Sequence, residues 1–274
     1  PERVMPGKLL ANLRQMSRVC GGDSSDTAQA MITLYRTIVE ADLDAVDWAT
    51  AELVKTVENT YRDVQIAFAN EVALICEQAG ADVLRVRELV NKSPFRSMHI
   101  PGAGVGGHCI PKDPWLLAYG IQGSDVPLRL IPAARSINDQ MPIHMVKMLE
   151  KALERENKKM KDARILVLGY AYLENSDDTR NSPSATLVGG LDALGAEAVI
   201  HDPYVNEFNG DLMEKAAGCD AVVAMVKHDA YGKIDLEQLK AVLRTPILID
   251  GRRVFDAAAA RDLEFDYSAV GLGL

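Results

Sequence analysis

The patterning of this chain predicts an α/β fold, with a helical middle domain followed by a doubly wound parallel-sheet C-terminal domain. From residue 163 onward, short continuous apolar runs alternate with amphipathic stretches, as strands buried on both faces between crossover helices do. Between residues 48 and 90, apolar positions instead recur every three or four residues, over a span too long for a strand. A length of 274 residues suits about two domains with sizeable cores.

Taken in order, residues 1–47 read as a loop, one amphipathic helix and a strand. Asp26 is a candidate cap for a helix through TAQAMITLYRTIVE, and IVEADLDAV resembles a short pair of strands. No closed domain is visible there. The chain opens on Pro1 without a signal peptide, so 1–47 reads as the tail of a unit that begins earlier.

Residues 48–160 form the predicted central domain. Leu53, Val57, Val64, Phe68, Val72 and Ile75 make a helical apolar stripe, for which core packing is the plain reading. Gly80 stops that helix and DVLRVRELVN starts another. A long helix covers roughly 132–160 and ends in the charged, solvated run EKALERENKKMKDA. In 161–274, ARILVLGYAY, AEAVIHDPY, DAVVAMV and PILIDG read as strands, with SPSATLVGGLDALG, LMEKAAGC and LEQLKAVL as helices between them. Ligands of such sheets sit beyond the carboxyl ends of the strands, which here carry Tyr170, Asp202 and residues 250–253.

Composition narrows the function. A net charge of −9, from 30 basic and 39 acidic residues, disfavours non-specific nucleic-acid binding but leaves room for a small phosphate-bearing ligand. No run of about 18 apolar residues exists, so no membrane span is expected. The five histidines show no metal-ligand spacing, and no metal is expected. Cys20, Cys76, Cys109 and Cys219 form no CxxC pair, which points to a reducing, cytoplasmic setting. Cys76 and Cys219 lie in apolar patterns and read as core residues.

Cys109 sits in a different context, PGAGVGGHCIPKDPW. Gly102, Gly104 and Gly107 have GxGxxG spacing, but Pro101 precedes them and Pro111 and Pro114 follow. A dinucleotide fingerprint needs a strand before it and a helix opening at its third glycine, so that reading fails. What remains is a tight glycine loop, including Gly106, that lets backbone approach a ligand and presents a thiol at its end. Lys112 would favour the thiolate. A passive cysteine in a structural loop fits the same spacing. A cysteine hydrolase would need a histidine poised on the thiol, and His108, its sequence neighbour, is badly placed for that.

GGHCIPKDPWLL resembles the active-site cysteine segment of the UDP-glucose/GDP-mannose dehydrogenase family. PERVMPG, AELVKTVENTY, GYAYLENSDDTRNSPS and LIDGRRVFD resemble further motifs of that family, in the family's order. The resemblance implies oxidation of a sugar CH2OH to a carboxylate with NAD as acceptor, by way of a covalent adduct on Cys109 that retains the aldehyde. It implies that Lys55 and Asn59, one helical turn apart, stabilise an oxyanion and hold a water, and that Asp113 orients the water and the lysine. Glu2 matches the carboxylate assigned to thioester hydrolysis. Arg252 matches an arginine on the substrate's phosphate and sugar portion, and Arg180 one that reaches the NAD pyrophosphate. Lys112 falls on a substrate-side lysine, or is a surface lysine. Arg96 and His99 fall where side chains cross a subunit interface, or are plain surface residues. A homodimer is implied through the middle helices.

Many members carry a Lys where this chain has Leu173. That departure, together with PERV and GGHCIPKDP, resembles the N-acetylhexosamine branch. UDP-N-acetylmannosamine is the first expectation, UDP-N-acetylgalactosamine or UDP-N-acetylglucosamine the next, and UDP-glucose a weaker one. With most of the cofactor domain missing, a non-catalytic nucleotide-sugar-binding unit is the alternative.

Overall fold

The computed structural model describes residues 3–4 and 8–273. The chain divides into two compact units, Pro1–Arg62 with Lys112–Leu128, and Asp63–Pro111 with Arg129–Leu274.

The first unit contains helix α1 (Leu9–Gln15), strand β1 (Arg18–Gly22), helix α2 (Ser25–Tyr35) and strand β2 (Leu43–Asp47). It also contains the first part of helix α3 (Trp48–Ala79). The two strands pair in parallel, Arg18 against Leu43 through Gly22 against Asp47. Two expectations are corrected here. The cap of α2 is Ser24, whose hydroxyl accepts from Thr27 N–H at 3.2 Å, rather than Asp26. IVEADLDAV contributes one strand rather than two, because Thr37, Ile38 and Val39 stay hydrogen-bonded to the last turn of α2. The partner strand is RVCGG, short and ending in two glycines, which hid it in the sequence.

The second unit holds the rest of α3, then helix α4 (Val83–Val90) and helix α6 (Leu130–Arg155). Helix α5 (Asp113–Tyr119), unforeseen, belongs to the first unit; its Pro114 opens the helix, since proline is tolerated in a first turn. Gly80 ends α3 with φ of 70°. Helix α6 stops five residues before the expected end. Asn157 turns left-handed (φ 55°), and Lys158 N–H reaches back to Leu153 O at 2.8 Å, closing the helix.

The C-terminal sheet comprises β3 (Arg164–Leu168), β4 (Glu197–His201), β5 (Ala221–Ala224), β6 (Ile247–Asp250) and β7 (Asp266–Ala269). The order is β4-β3-β5-β6-β7, parallel throughout. Helices α7 (Pro183–Ala193), α8 (Leu212–Ala216), α9 (Leu236–Val242) and α10 (Ala257–Asp262) complete the crossovers. The expected doubly wound sheet is present, with β7 and α10 added at its end. Alternate residues of β3 serve opposite cores. Ile165 and Val167 pack with Met145, Leu149, Leu187 and Leu191 from α6 and α7, while Leu166 and Leu168 pack with Leu239 and Ala260 from α9 and α10. The register aligns Leu168 with His201 and Ala224, and Ala224 with Asp250, so these residues share the carboxyl edge. Because β4 and β5 lie on opposite sides of β3, the chain reverses direction at that edge, where such sheets open a crevice.

Candidate functional site

Within the second unit, the glycine loop lies against the carboxyl edge of this sheet. Gly107 N–H donates to Arg180 O at 2.9 Å, and Asn181 Nδ2 donates to Gly107 O at 3.0 Å. Arg252, just beyond β6, donates from Nη2 to Gly104 O at 2.7 Å and from Nε to Met225 O at 3.1 Å. The loop is thus clasped by segments that follow β3 and β6. Glycine is required by space as much as by backbone angle. A Cβ on Gly106 would come within 2.5 Å of the Tyr172 Cβ and 2.8 Å of Asn181 O. Gly107 has φ of 89° and would set a Cβ 2.8 Å from the Tyr172 ring.

Cys109 emerges at the end of this loop. It is the only exposed cysteine of the four, Cys76 and Cys219 being buried as their apolar surroundings predict. Arg180, exposed and paired with Asp178 at 2.5 Å, is held above its ordinary pKa first by that carboxylate, with Tyr172 and Cys109 adding smaller pulls. Burial pushes the Tyr172 hydroxyl up, Asp178 and Cys109 reinforcing it and Arg180 opposing. Cys109, Tyr172 and Arg180 therefore share one electrostatic neighbourhood. Burial lowers the Arg252 pKa, against an opposing pull from Glu174, and its side chain donates to two backbone carbonyls. Arg96 is exposed beside Phe95, which has φ of 64°, and His99 bonds Gln65 at 3.1 Å.

Within the first unit, Lys55 and Asn59 lie one turn apart on α3, both half-buried. Asn59 Nδ2 donates to Asp113 Oδ2 at 2.5 Å, and Asp113 is itself buried. Lys112 Nζ lies 3.5 Å from the other oxygen of Asp113. Arg3 Nε donates to Glu58 at 2.9 Å, tying the start of the chain to the same helix. Glu2 lies outside the described residues.

The strand-edge carboxylates serve a different purpose. Asp202 accepts from the N–H groups of Tyr170, Ala171 and Tyr204 and from His228 Nε2, and Asp250 accepts from Arg252 N–H, Phe255 N–H and the Tyr267 hydroxyl. Both are fully buried and fasten loops together. Tyr172 and Asn181, which hold the loop, escaped the sequence reading because no spacing links them to Gly107. Asn70 and Asn138 escaped it too, although an Asn inside the apolar run AFANEVALI is a visible anomaly.

No helix among the described residues is long and apolar enough to cross a membrane, and no group of three or more His, Cys, Asp or Glu among them could hold a metal ion. The GxGxxG spacing runs into bends and turns at 107–112 rather than a helix.

A doubly wound sheet with a glycine loop laid across its strand ends defines an α/β protein of the nucleotide-binding type. Residues 49–140 match the central domain of the UDP-glucose/GDP-mannose dehydrogenase family, and residues 166–257 match its UDP-binding domain. The chain belongs to this family. It is 41% identical over 254 residues to UDP-N-acetyl-D-mannosamine dehydrogenase of Pyrococcus horikoshii, covering 93% of this chain and 60% of that protein. A solved structure of UDP-D-ManNAc dehydrogenase from Pyrococcus horikoshii superposes with a TM-score of 0.94 at 40% identity, covering 100% of this chain and 64% of the other. NDP-N-acetyl-D-galactosaminuronic acid dehydrogenase from Methanosarcina mazei Go1 gives a TM-score of 0.94 at 35% identity, covering 100% and 62%. The chain spans about 60% of the length of the curated relatives it matches.

Proposed function

We propose that this chain supplies the nucleophile and the sugar-nucleotide half of a cytoplasmic nucleotide-sugar 6-dehydrogenase. UDP-N-acetylmannosamine is the favoured substrate, with other UDP-N-acetylhexosamines next. The observation that carries the reading is the exposed Cys109 at the end of a glycine loop clasped to the strand edge of the UDP-binding domain. Its identity with relatives named for UDP-N-acetylmannosamine supports the choice of sugar.

In this reading the Cys109 thiol adds to the C6 aldehyde carbon, and its proton passes to the aldehyde oxygen. Lys55 and Asn59 stabilise the oxygen as charge develops on it. Asp113, hydrogen-bonded to Asn59, orients the attacking water and the lysine. Glu2 acts as base when water cleaves the thioester, which releases the uronate and restores the thiol. Backbone at Gly106, with Lys112, Arg252 and Arg96, borders the substrate. Two NAD+ would each take up one hydride when bound, the first from the CH2OH that becomes the aldehyde and the second from the thiohemiacetal that becomes the thioester. Arg180 is the one group assigned to NAD here, and the rest of its site is assigned to a cofactor domain of which 1–47 is the tail. Residues 48–160 and 161–274 are then the central and nucleotide-sugar domains.

The test supplies a panel of UDP-sugars to the enzyme completed by its cofactor domain and follows NADH. UDP-N-acetylmannosamine should turn over fastest, and Cys109→Ser should abolish uronate formation while UDP-sugar binding persists. A Cys109→Ser variant that still forms uronate would end this assignment.

A further inference from the structure

The glycine loop is anchored at its beginning as well as at its end, and the anchor consists of groups that are costly to bury. Gly102 N–H donates to Asn70 Oδ1 at 2.9 Å. Asn70 Nδ2 donates to Asn138 Oδ1 at 2.8 Å. Asn138 Nδ2 in turn donates to Asp63 Oδ1 at 2.7 Å and to Asp63 O at 3.0 Å. Arg135 Nη1 donates to the same carboxylate oxygen at 2.5 Å, and its Nη2 pairs with Asp139. Asp63, Asn70, Asn138 and Arg135 are each 2% exposed or less.

Stability alone does not account for this choice. Apolar side chains of equal volume often stabilise a core as well as a buried ion pair does, whereas removing one partner leaves a costly orphan. What the polar chain supplies is direction. Each amide uses its donor toward Asp63 and its acceptor toward the loop, so the order Asp63, Asn138, Asn70, Gly102 runs one way only. It ends on a backbone N–H at the start of the segment that leads to Cys109.

We propose that Asn70 is a positioning residue for Cys109, itself oriented by Asn138 and the Asp63–Arg135 pair. With Gly102 fixed by Asn70, Gly104 by Arg252 and Gly107 by Asn181, the loop is held at three points, and the thiol is presented at one place. Placement errors of about 1 Å in such a group cost roughly a hundred-fold in rate. The inference rests on Cys109 being the nucleophile.

The experiment is hydrogen exchange on the chain and two variants, reading the segment 101–109 against β3 and β5. Asn70→Ala should speed exchange at 102–107 at least ten-fold while β3 and β5 stay within two-fold. Asn70→Ser, the gentler variant should Asn70→Ala fail to fold, should give the same selective change in weaker form. In the enzyme completed by its cofactor domain, Asn70→Ala should lower kcat ten- to a hundred-fold with the sugar-nucleotide KM within two-fold. Unchanged loop exchange in both Asn70 variants, loop and strands accelerating together, or a rise in KM at constant kcat would each overturn the proposal. Cys109→Ser, run alongside, should leave loop exchange intact. If it still turns over, the nucleophile reading fails by itself, while the loop anchor is judged by exchange alone.

Discussion

Asn59 and Asp113 form a close polar contact in the first unit, Asn59 Nδ2 donating to Asp113 Oδ2 at 2.5 Å. Asp113 opens α5, where the helix N-terminus favours its charge, yet it is buried, and Lys112 reaches it only at 3.5 Å. Asn59→Ala should therefore destabilise the chain by about 1–3 kcal/mol, the cost of a buried acceptor losing its donor. Urea unfolding measures it. Asn59→Asp is predicted to be worse at neutral pH, since it sets two carboxylates against each other. Gly106→Ala belongs to the same scale. Its Cβ meets Tyr172 and the Asn181 carbonyl, so it should shift the loop and cost about 1–3 kcal/mol.

At the scale of elements, α3 carries two kinds of surface. Its buried face in the second unit is Asp63, Ala67, Asn70, Ala73 and Cys76, small and polar side chains that admit close neighbours. Leu53, Val57, Phe68 and Ile75, the larger apolar residues, are between 45% and 59% exposed. Their exposure is at odds with core packing for these four, and pairing of two subunits is the reading put to test. Phe68→Glu with Ile75→Glu should abolish self-association in sedimentation experiments and leave the circular dichroism unchanged. An oligomer that survives both changes would remove the stripe from the interface. The sheet layer behaves oppositely. Leu191 of α7 is fully buried among Ile165, Val167 and Leu149, and Leu191→Ala should cost about 2–5 kcal/mol in thermal or denaturant unfolding.

For the molecule as a whole, acid is the predicted weakness. Burial holds His201 below its ordinary pKa, with the Gly210 carbonyl opposing, so the fold favours the neutral ring. The stability this contributes is present above the unfolded pKa of about 6.5 and is lost as the pH falls below it. Burial alone would raise Asp202, but hydrogen bonds from His228, Ala171, Tyr170 and Tyr204 outweigh it and hold the carboxyl well below the usual range. That contribution is complete above the unfolded pKa of about 3.9 and fades as the pH drops through the depressed folded value. Melting temperature should thus decline below about pH 6.5 and again below about pH 4; a flat profile from 7.5 to 5 would count against the His201 effect. The 274 residues by themselves should bind UDP-N-acetylhexosamines in calorimetry without reducing NAD+. NADH formation by them alone would contradict the assignment of the cofactor site to a separate domain.

Local chemistry made several features legible before any fold was known. Apolar runs between amphipathic stretches announced the parallel sheet, Gly80 the end of α3, and prolines around the glycine loop the absence of a dinucleotide helix. Five ordered motifs were enough to suggest the family. Periodicity also located the stripe on α3, but not whether it faces core or solvent, because a helix repeats its apolar positions identically in either case. That was decided by packing, which turned Val72 toward the core with the small residues and the buried polar chain and left Leu53, Val57, Phe68 and Ile75 exposed. The same holds for Asn181 against Gly107 and Asn70 against Gly102. These partners lie 74 and 32 residues apart, and a hydrogen bond between them leaves no trace in spacing or composition. Their meeting exists only once the sheet edge and two helices have closed around the loop.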